Sequence, residues 1–453
     1  MTQDTESISM AHRAALGCLA VARQLSVVVM VVSVVALVAG SAGTSYAKNK
    51  KKVTPEDKQL EDTVVVSNFG SLFAGSIETF AAGTIAGGAP LREIIGSNTF
   101  LGAGNGAAGD AQSSLTGTIA VGVPLGIAGV FPNGLVELFS LGDNKNTPPD
   151  QIIGSPTGFK APDFTGLSLP QGVAYADPFT LDLANGGVQR VFTDDILAVA
   201  NFTPAVVELD GDPCPGPVGF VLGTITEYDT AGLATFNPST FAGINDIFPL
   251  NNTPVTVAGA LSPTHNATLG GCNTALFGPV GLTFDSDGFL YVVNEIGKYV
   301  TVYEPGAFGN AVPRALIGAF GATAGAFVDP QFITVSGSGF SEGGATIYVT
   351  DAGDNSVKVF DVFTNQIPMS IFTGSSLGSI VGGKTKLKRP LGIAISGDDL
   401  YVVNNNANSL EMFDDLDVSG LGNVRPKLII QGKSARMNFP VGVAHPQFSA
   451  PAL

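Results

Sequence analysis

The sequence predicts an all-β fold in which six four-stranded antiparallel blades surround one axis, a six-bladed β-propeller. Three short phrases recur six times each along the chain, and they follow one another in a fixed order. Strands alternate throughout with Gly, Pro, Asn and Asp turns. The 453 residues include 58 Gly and 28 Pro, and only 13% are charged. This composition favours many short strands over long helices.

The first phrase is a strand pair: an apolar strand that stops at Asn or Asp, a polar loop and an alternating strand. It is clearest in LYVVNEIGKYVTVY at 290–303, IYVTDAGDNSVKVF at 347–360 and LYVVNNNANSLEMF at 400–413. Fainter first halves are TVVVSN at 63–68, GIAGVF at 126–131 and ILAVAN at 196–201. Fainter second halves are IETF at 77–80, VELF at 136–139 and ITEY at 225–228.

The second phrase is a further strand that follows the alternating strand, written as a proline, two apolar β-formers and a glycine. Its copies are PLREIIG from 90, PDQIIG from 149, PVTVAG from 254, PRALIG from 313, PMSIFTG from 368 and PKLIIQG from 426. The third phrase is a turn and an apolar strand that precedes the next pair. Its copies are LTGTIAV at 115, LPQGVAY at 169, GPVGLTF at 278, DPQFITV at 329, RPLGIAI at 389 and FPVGVAH at 439. Each unit therefore contributes four strands.

The two ends of the repeat region predict how the ring closes. The first repeat begins at the strand TVVVSN, and the last ends after FPVGVAH, so neither end is a whole blade. Radial repetition protects sheet edges only if the ring is complete. We therefore expect the C-terminal strand to pair beside the N-terminal one, with the propeller at 63–446 and a short tail at 447–453.

Residues 278–303 and 389–413 resemble NHL repeats, whose units place a PxG strand, an Asp/Gly turn and a YVxD strand in this order. The resemblance is strong over 277–446 and weaker over 63–276. It implies a propeller, but related propellers include binding modules, lactonases of the gluconolactonase type and lyases of the streptogramin type. Such lactonases use an asymmetric ligand set that includes Glu, and no matching Glu-Gly-Pro opening occurs here.

The N-terminus has the order of a secretory signal peptide. Basic residues precede the apolar run at 25–40, and small residues end at Ala47. We predict a signal peptide at 1–47, a basic and polar linker at 48–62, and a secreted, periplasmic or cell-envelope location. The alternative is an uncleaved membrane anchor, since the apolar run could extend toward the ~20 residues that span a bilayer.

Charge limits the classes of partner. The formal net charge is −16 with only 22 Lys and Arg, which argues against nucleic acid as a partner. The chain has no Trp, which lowers the prospect of a sugar-binding lectin.

Two cysteines, Cys214 and Cys272, remain after the predicted leader, and in an exported protein they predict a disulfide. Both lie in a large insertion at about 176–275. This insertion is either a specificity loop or a structural excursion held by the disulfide.

One polar residue stands at the same point of most blades: Asn68, Asn201, Asn294, Asp351 and Asn404. These residues could form a ring of oxygen ligands for Ca²⁺ or Mg²⁺ at the channel mouth. Alternatively, they end their strands by hydrogen-bonding the backbone of a neighbouring turn.

Three other motif matches lack the required context. GNGAAG at 104–109 does not open a strand–helix unit, so dinucleotide binding is not expected. GFSEG at 339–343 joins two strands, so Ser341 is predicted to be a turn residue and not a nucleophile. DSDG at 285–288 is predicted to form a hairpin turn.

His265 and His445 are the histidines outside the predicted leader. A streptogramin-type lyase would need a histidine base near a metal, and His445 could reach the axis or be a strand-end side chain. Together these features predict an exported, non-catalytic propeller that binds a protein, peptide or small molecule on one loop-lined face. The alternative is a metal-dependent lactonase or lyase.

Overall fold

The computed structural model describes residues 63–70, 75–81, 84, 88–96, 99, 101, 111–113, 117–124, 134–154, 167, 169–176, 179–181, 190–192, 196–202, 223–229, 268–319, 323–337, 339–340, 344–362, 374–414 and 421–445. These residues form six four-stranded antiparallel sheets and one two-stranded hairpin. The predicted six-bladed all-β propeller is therefore confirmed.

The strands follow in chain order. Blade 1 begins with β1 (Thr63–Asn68), β2 (Ser76–Ala81) and β3 (Arg92–Ile94). Blade 2 contains β4 (Ala111–Ser113), β5 (Thr118–Val123), β6 (Leu135–Ser140) and β7 (Gln151–Gly154). Blade 3 contains β8 (Pro170–Tyr175), then the hairpin β9 (Phe179–Leu181) and β10 (Arg190–Phe192), then β11 (Ile196–Asn201), β12 (Thr224–Asp229) and β13 (Thr268–Leu269).

The C-terminal half is more regular. Blade 4 contains β14 (Pro279–Phe284), β15 (Leu290–Asn294), β16 (Tyr299–Tyr303) and β17 (Ala315–Ile317). Blade 5 contains β18 (Pro330–Gly337), β19 (Ala345–Asp351), β20 (Ser356–Val362) and β21 (Ser375–Ile380). Blade 6 contains β22 (Pro390–Ser396), β23 (Asp399–Asn404), β24 (Ser409–Phe413) and β25 (Leu428–Gln431), and β26 (Pro440–Ala444) follows it.

The ring closes as predicted. Strand β26 pairs antiparallel with β1, with Val66 opposite Val443 and Ser67 opposite Gly442, and so becomes the inner strand of blade 1. The Ser67 hydroxyl accepts a hydrogen bond from the Gly442 amide at 2.9 Å. The first and the last strand of the propeller, which are far apart in the sequence, therefore stabilise each other.

Glycine in the inner strands has a packing reason. A Cβ atom at Gly281 or Gly392 would lie 2.5 Å from the carbonyl oxygen of Gln331 or Val441 in the next blade. Neighbouring inner strands approach too closely there for a side chain. The recurring PxG phrase thus marks the tightest part of the ring.

Apolar side chains from facing sheets form the core between blades. One cluster joins Val65, Ile77 and Ile94 of blade 1 to Val121 and Phe139 of blade 2, and all five are buried. Buried strands pack on both faces in this arrangement, which explains their continuous apolar runs. No helix among the described residues is long and apolar enough to cross a membrane.

Blade 2 differs from the sequence prediction. The inner strand there is β4 at 111–113, and the TIAV segment that was predicted as the inner strand belongs to β5, the second strand. The predicted second strand at 126–131 lies outside the described residues. An apolar run suits either position equally well, so only the pairing of β5 with both β4 and β6 decides it.

Two outer strands also differ. Blade 3 uses β13 and blade 5 uses β21 as the outermost strand. The strand predicted from 254 lies outside the described residues, as do 368–373 of the strand predicted from 368. In both blades the strand that pairs with the third strand comes later in the chain than the phrase suggested.

Candidate functional site

The recurring Asn and Asp residues lie at one end of the propeller. Second and inner strands are antiparallel, so a second strand ends where its inner strand begins: Asn294 lies opposite Pro279, and Asn404 lies opposite Pro390. We call this end the Asn end. The five predicted residues are all 0% exposed: Asn68, Asn201, Asn294, Asp351 and Asn404.

Side-chain oxygens at this position hold the turn that precedes the inner strand of the same blade. In three blades an Asn Oδ1 accepts a hydrogen bond from a backbone amide of that turn. The pairs are Asn68 with Asn438 at 3.0 Å, Asn294 with Phe277 at 2.8 Å, and Asn404 with Lys388 at 2.9 Å. Buried polar atoms need such partners, and here the repeat supplies them blade by blade.

Asp351 accepts more backbone hydrogen bonds at this position than the asparagines do. Its Oδ2 accepts from the Val328 amide and its Oδ1 from the Asp329 amide, both at 2.8 Å. Oδ1 also accepts from the Gly353 amide at 3.1 Å. Both carboxylate oxygens are therefore engaged by the backbone around them.

The amide nitrogens bind the third strand of the blade. The partners are the Thr226 hydroxyl for Asn201 and the Thr301 hydroxyl for Asn294, both at 3.1 Å, and the carboxyl groups of Glu78 for Asn68 and Glu411 for Asn404. These side chains therefore connect a turn to two strands. Among the described residues, no group of three or more His, Cys, Asp or Glu could hold a metal ion. The ring of mainly Asn oxygens for Ca²⁺ or Mg²⁺ stays a prediction.

The turns held in this way have an unusual backbone. Leu169, Arg389 and Phe439 each precede the proline of an inner strand with φ of 51–52°, in the left-handed region. A non-glycine residue pays roughly 1 kcal/mol for that conformation. Backbone contacts offset the strain: the carbonyl of Arg389 accepts from Asn405 at 3.1 Å, and that of Phe439 accepts from Phe69 at 3.0 Å.

A charged cluster forms at the Asn end between blades 4 and 5. The Gln331 side-chain amide donates to Glu295 Oε1 at 3.3 Å and to Asp329 Oδ1 at 2.9 Å. Burial, followed by the negative charge of Asp329, raises the pKa of Glu295 well above its usual value. Sequence reasoning missed this cluster, because Glu295 follows β15 of blade 4 whereas Asp329 and Gln331 lie at the start of β18 in blade 5, and the two segments meet only when the blades assemble.

The polar contacts continue toward blade 1. Arg389 Nη1 donates to Asn405 Oδ1 at 3.3 Å, and the Asn405 amide donates to the Pro440 carbonyl at 3.2 Å. The charge of Arg389 also partly lowers the pKa of Glu295. The Asn end therefore has a polar rim that extends from blade 4 to blade 1.

Apolar side chains are exposed beside this rim. Phe69, Ile296, Val328 and Phe439 are 40%, 41%, 49% and 42% exposed. Ile296 follows Glu295, and Val328 precedes Asp329, so these two flank the charged cluster directly. Large exposed apolar side chains next to fixed polar groups are typical of a recognition surface.

Three buried glutamates occupy the same position in the third strands of blades 1, 2 and 6. Ser76 donates to Glu78 at 2.7 Å, Ser409 donates to Glu411 at 2.8 Å, and burial raises the pKa of both carboxyls to about 8. Glu137 has no hydrogen-bond partner among the described residues, and burial raises its pKa well above the usual value. The sequence signal for these buried carboxyls was the Glu that recurs at the same place in IETF, VELF and SLEMF.

The opposite end contains the remaining motifs. Asp285 of DSDG accepts from the Gly288 amide at its carbonyl, so the predicted hairpin turn is confirmed. Its carboxylate accepts from the Tyr291 hydroxyl and from the Phe340 amide, both at 2.9 Å. Phe340 belongs to GFSEG, and this bond ties the loop to the neighbouring blade. Ser341 and the segment 104–109 lie outside the described residues.

Histidine and cysteine predictions are tested only in part. His445 stacks on Tyr401 of blade 6 with ring centroids 5.6 Å apart, at the end of β26 that is remote from the Asn end. Cys272 begins a short 3-10 helix at Cys272–Thr274. His265 and Cys214 lie outside the described residues, so the disulfide stays a prediction.

The sequence matches no protein-family model, and no curated protein matches it. Solved structures are similar at low identity. A chain of a nidogen–laminin complex is 11% identical over 84% of this chain and 97% of its own, with a TM-score of 0.41. A putative 6-phosphogluconolactonase from Bacteroides uniformis is 14% identical over 85% and 99%, with a TM-score of 0.43. The Pseudomonas aeruginosa periplasmic gluconolactonase is 14% identical over 86% and 85%, with a TM-score of 0.40.

Similarity at this level transfers neither an activity nor a ligand from those proteins. The assignment of this chain rests on its own strand pairing: six four-stranded sheets, with β26 closing against β1. The protein is a six-bladed β-propeller.

Proposed function

We propose that this chain is an exported, non-catalytic propeller of the NHL-like kind that recognises a peptide or another ligand on its Asn end. One observation carries the proposal: the Asn end exposes Phe69, Ile296, Val328 and Phe439, while its recurring Asn and Asp side chains are buried and engaged within their blades. The repeated polar residues thus build the support, and the exposed side chains face the ligand.

The chemistry of this end suits recognition. Ile296 and Val328 offer apolar contacts, and Glu295, Gln331 and Arg389 offer charged and amide groups beside them. Binding energy in interfaces comes mainly from a few apolar or aromatic anchors enclosed by a polar rim.

Rigid turns make this surface suitable for binding. The left-handed turns at Arg389 and Phe439 are each held by a buried side chain and by a backbone bond across the blade, so little loop entropy is lost when a ligand binds. A propeller that only binds a ligand needs no catalytic residues in addition to this surface.

A peptide-display selection on the immobilised propeller tests the proposal. Selected peptides should bind the Ile296→Ser/Val328→Ser variant at least about tenfold more weakly, because both anchors are lost. The matched control is Leu91→Ser/Val312→Ser, which removes two exposed apolar side chains from loops that precede outer strands. Equal loss in both variants, or peptides that bind both as well as the wild type, would refute recognition at the Asn end.

The alternative function, a metal-dependent lactonase or lyase, is favoured by Glu295. A carboxyl whose pKa is raised by burial and by a second carboxylate is a candidate general base. Lactone hydrolysis should then depend on Glu295 and disappear in Glu295→Gln.

Thermal unfolding with EDTA, Ca²⁺ or Mg²⁺ tests the metal separately. A cation bound only by the folded state at about 100 times its Kd stabilises by about 2.7 kcal/mol. A shift of that size together with lactone turnover would overturn the non-catalytic proposal.

A further inference from the structure

Two loops at the Asn end, which precede inner strands of neighbouring blades, have the same structure and together carry six Lys and Arg residues. They are GGKTKLKRP at 382–390, which leads into β22, and GKSARMNFP at 432–440, which leads into β26. Lys386 and Arg436 occupy the same left-handed position, with φ of 64° and 56°. Leu387 and Met437, which follow them, are buried and anchor the loops.

The Lys and Arg side chains of the two loops are exposed. They are Lys384, Lys386, Lys388, Arg389, Lys433 and Arg436. Arg436 forms an ion pair with Glu93. Among the described residues, no acidic side chain forms an ion pair with the other five. A chain with net charge −16 has thus gathered exposed cations on two adjacent loops.

The two loops form one continuous surface. Asn405 accepts from Arg389 of the first loop and donates to Pro440 at the end of the second. The Phe439 amide also donates to Asn408 Oδ1 at 2.6 Å, which fixes the second loop on blade 6. We call the residues 381–389 and 432–439, together with Phe69, the basic surface.

Apolar side chains lie within this surface. Val381, Phe439 and Phe69 are 38%, 42% and 40% exposed, and the Phe69 amide bonds to the Phe439 carbonyl, so the two phenylalanines are neighbours. A plain polyanion would use only the cations and would leave these side chains in water. A partner that offers both carboxylates and an apolar side chain would engage both.

We infer that the basic surface binds an acidic segment of a partner protein that carries an aromatic or aliphatic side chain. This names a partner class for the proposed function and rests on it. Carboxylates would pair with the lysines, and the apolar side chain would pack on Phe439 and Phe69. The described chain enters the propeller at Thr63, at the end opposite to Asn68 and to the basic surface.

A fluorescein-labelled peptide of Glu and Asp residues around one central Phe is the probe, with binding read by fluorescence anisotropy. Lys384→Glu/Lys388→Glu should weaken binding at least about tenfold, since both changes replace attraction with repulsion. Wild-type binding should weaken markedly between about 50 mM and about 300 mM NaCl, because salt screens exposed charges.

The matched control is Arg314→Glu/Lys427→Glu, which changes the net charge equally at two cations that precede the outer strands of blades 4 and 6, at the end opposite to the Asn end. It should bind the peptide within about twofold of the wild type, as is usual for changes remote from an interface. Phe439→Ser should weaken the Phe peptide but leave binding of a peptide with Ser in place of Phe unchanged. Thermal unfolding of every variant shows that it is folded.

Each other outcome has a defined meaning. Equal weakening by both charge pairs indicates a nonspecific field effect and overturns the inference. Binding of phosphatidylglycerol vesicles that is lost in Lys384→Glu/Lys388→Glu, without peptide binding, indicates a membrane surface and also overturns it. If peptides from the display selection lose affinity in Ile296→Ser/Val328→Ser but not in Lys384→Glu/Lys388→Glu, this inference fails while the proposed function stands.

Discussion

The Asn404 side-chain amide donates a hydrogen bond to the Glu411 carboxyl in the neighbouring strand of blade 6, and the two residues are 0% and 1% exposed. The same pair recurs in blade 1 as Asn68 and Glu78. Burial raises the pKa of both glutamates from 4.5 to about 8, so at neutral pH they are held mainly in the protonated form. The blades thus contain carboxyl groups that the fold keeps neutral.

Stability should fall with rising pH because of these two glutamates. The unfolded chain releases their protons near pH 4.5 and the folded chain near pH 8, so the free energy of unfolding decreases between these values and levels off above. The melting temperature measured across this range should show the decline. Glu411→Gln should remove part of it, and an unchanged slope in that variant would contradict the assignment.

Glu137→Met should stabilise the protein. Glu137 is 0% exposed and has no hydrogen-bond partner among the described residues, and its cross-strand neighbours are Val121 and Ile152. Removing an unsatisfied buried polar group gains about 1–3 kcal/mol. Denaturant unfolding measures the change. Glu411→Met is the contrast and should destabilise, because it leaves the Asn404 amide without that acceptor; the opposite ranking would refute this account.

Asn294→Ala should destabilise blade 4. The substitution leaves the Phe277 amide and the Thr301 hydroxyl without their side-chain partner, at a cost of about 1–3 kcal/mol. The exposed Asn406 is the matched control, and Asn406→Ala should change the free energy of unfolding by less than about 0.5 kcal/mol. Chemical denaturation of the two variants compares them, and equal effects would show that burial at this position has no special role.

Gly392→Ala should destabilise the ring. The new Cβ would lie 2.5 Å from the Val441 carbonyl oxygen in blade 1, so the closing strand β26 must shift. Overpacking of this kind costs about 1–3 kcal/mol. Gly383→Ala is the control, since no atom lies within 4 Å of its Cβ position. Hydrogen exchange at β1 and β26 should increase in the first variant and remain unchanged in the second.

Much of the architecture was predictable from periodic residues. The segments 64–68 and 440–444 are incomplete repeats at the two ends of the repeat region, and the expectation that they pair is confirmed. Blade 2 was assigned wrongly, because residues 118–123 are an apolar run that carries no mark of being an inner or a second strand. Its place depends on which strands pair with it.

The sites were less predictable than the fold. The recurring Asn residues were visible as a repeat, but only the structure shows that the oxygen of Asn404 binds the Lys388 amide. Glu137 and Glu411 look alike in sequence, yet Glu411 lies beside Asn404 and Ser409, whereas the corresponding positions near Glu137 are Val123 and Leu135. Whether a buried polar group has a hydrogen-bond partner therefore depends on the residues that surround it in the folded protein.

The total charge could be read from the sequence, but the placement of the charged residues on the surface could not. The net charge of −16 is a property of composition and argues against nucleic acid. It does not show that Lys388 and Lys433 come from successive loops that cross the same end of the ring. By itself the sequence determined the strand order of blades 1, 4 and 6 and the closure of the ring, because these follow from local periodicity and from residues that repeat. The tertiary structure alone decided which polar groups are satisfied, which cations share a surface and which apolar side chains stay exposed, because these depend on contacts between residues far apart in the chain.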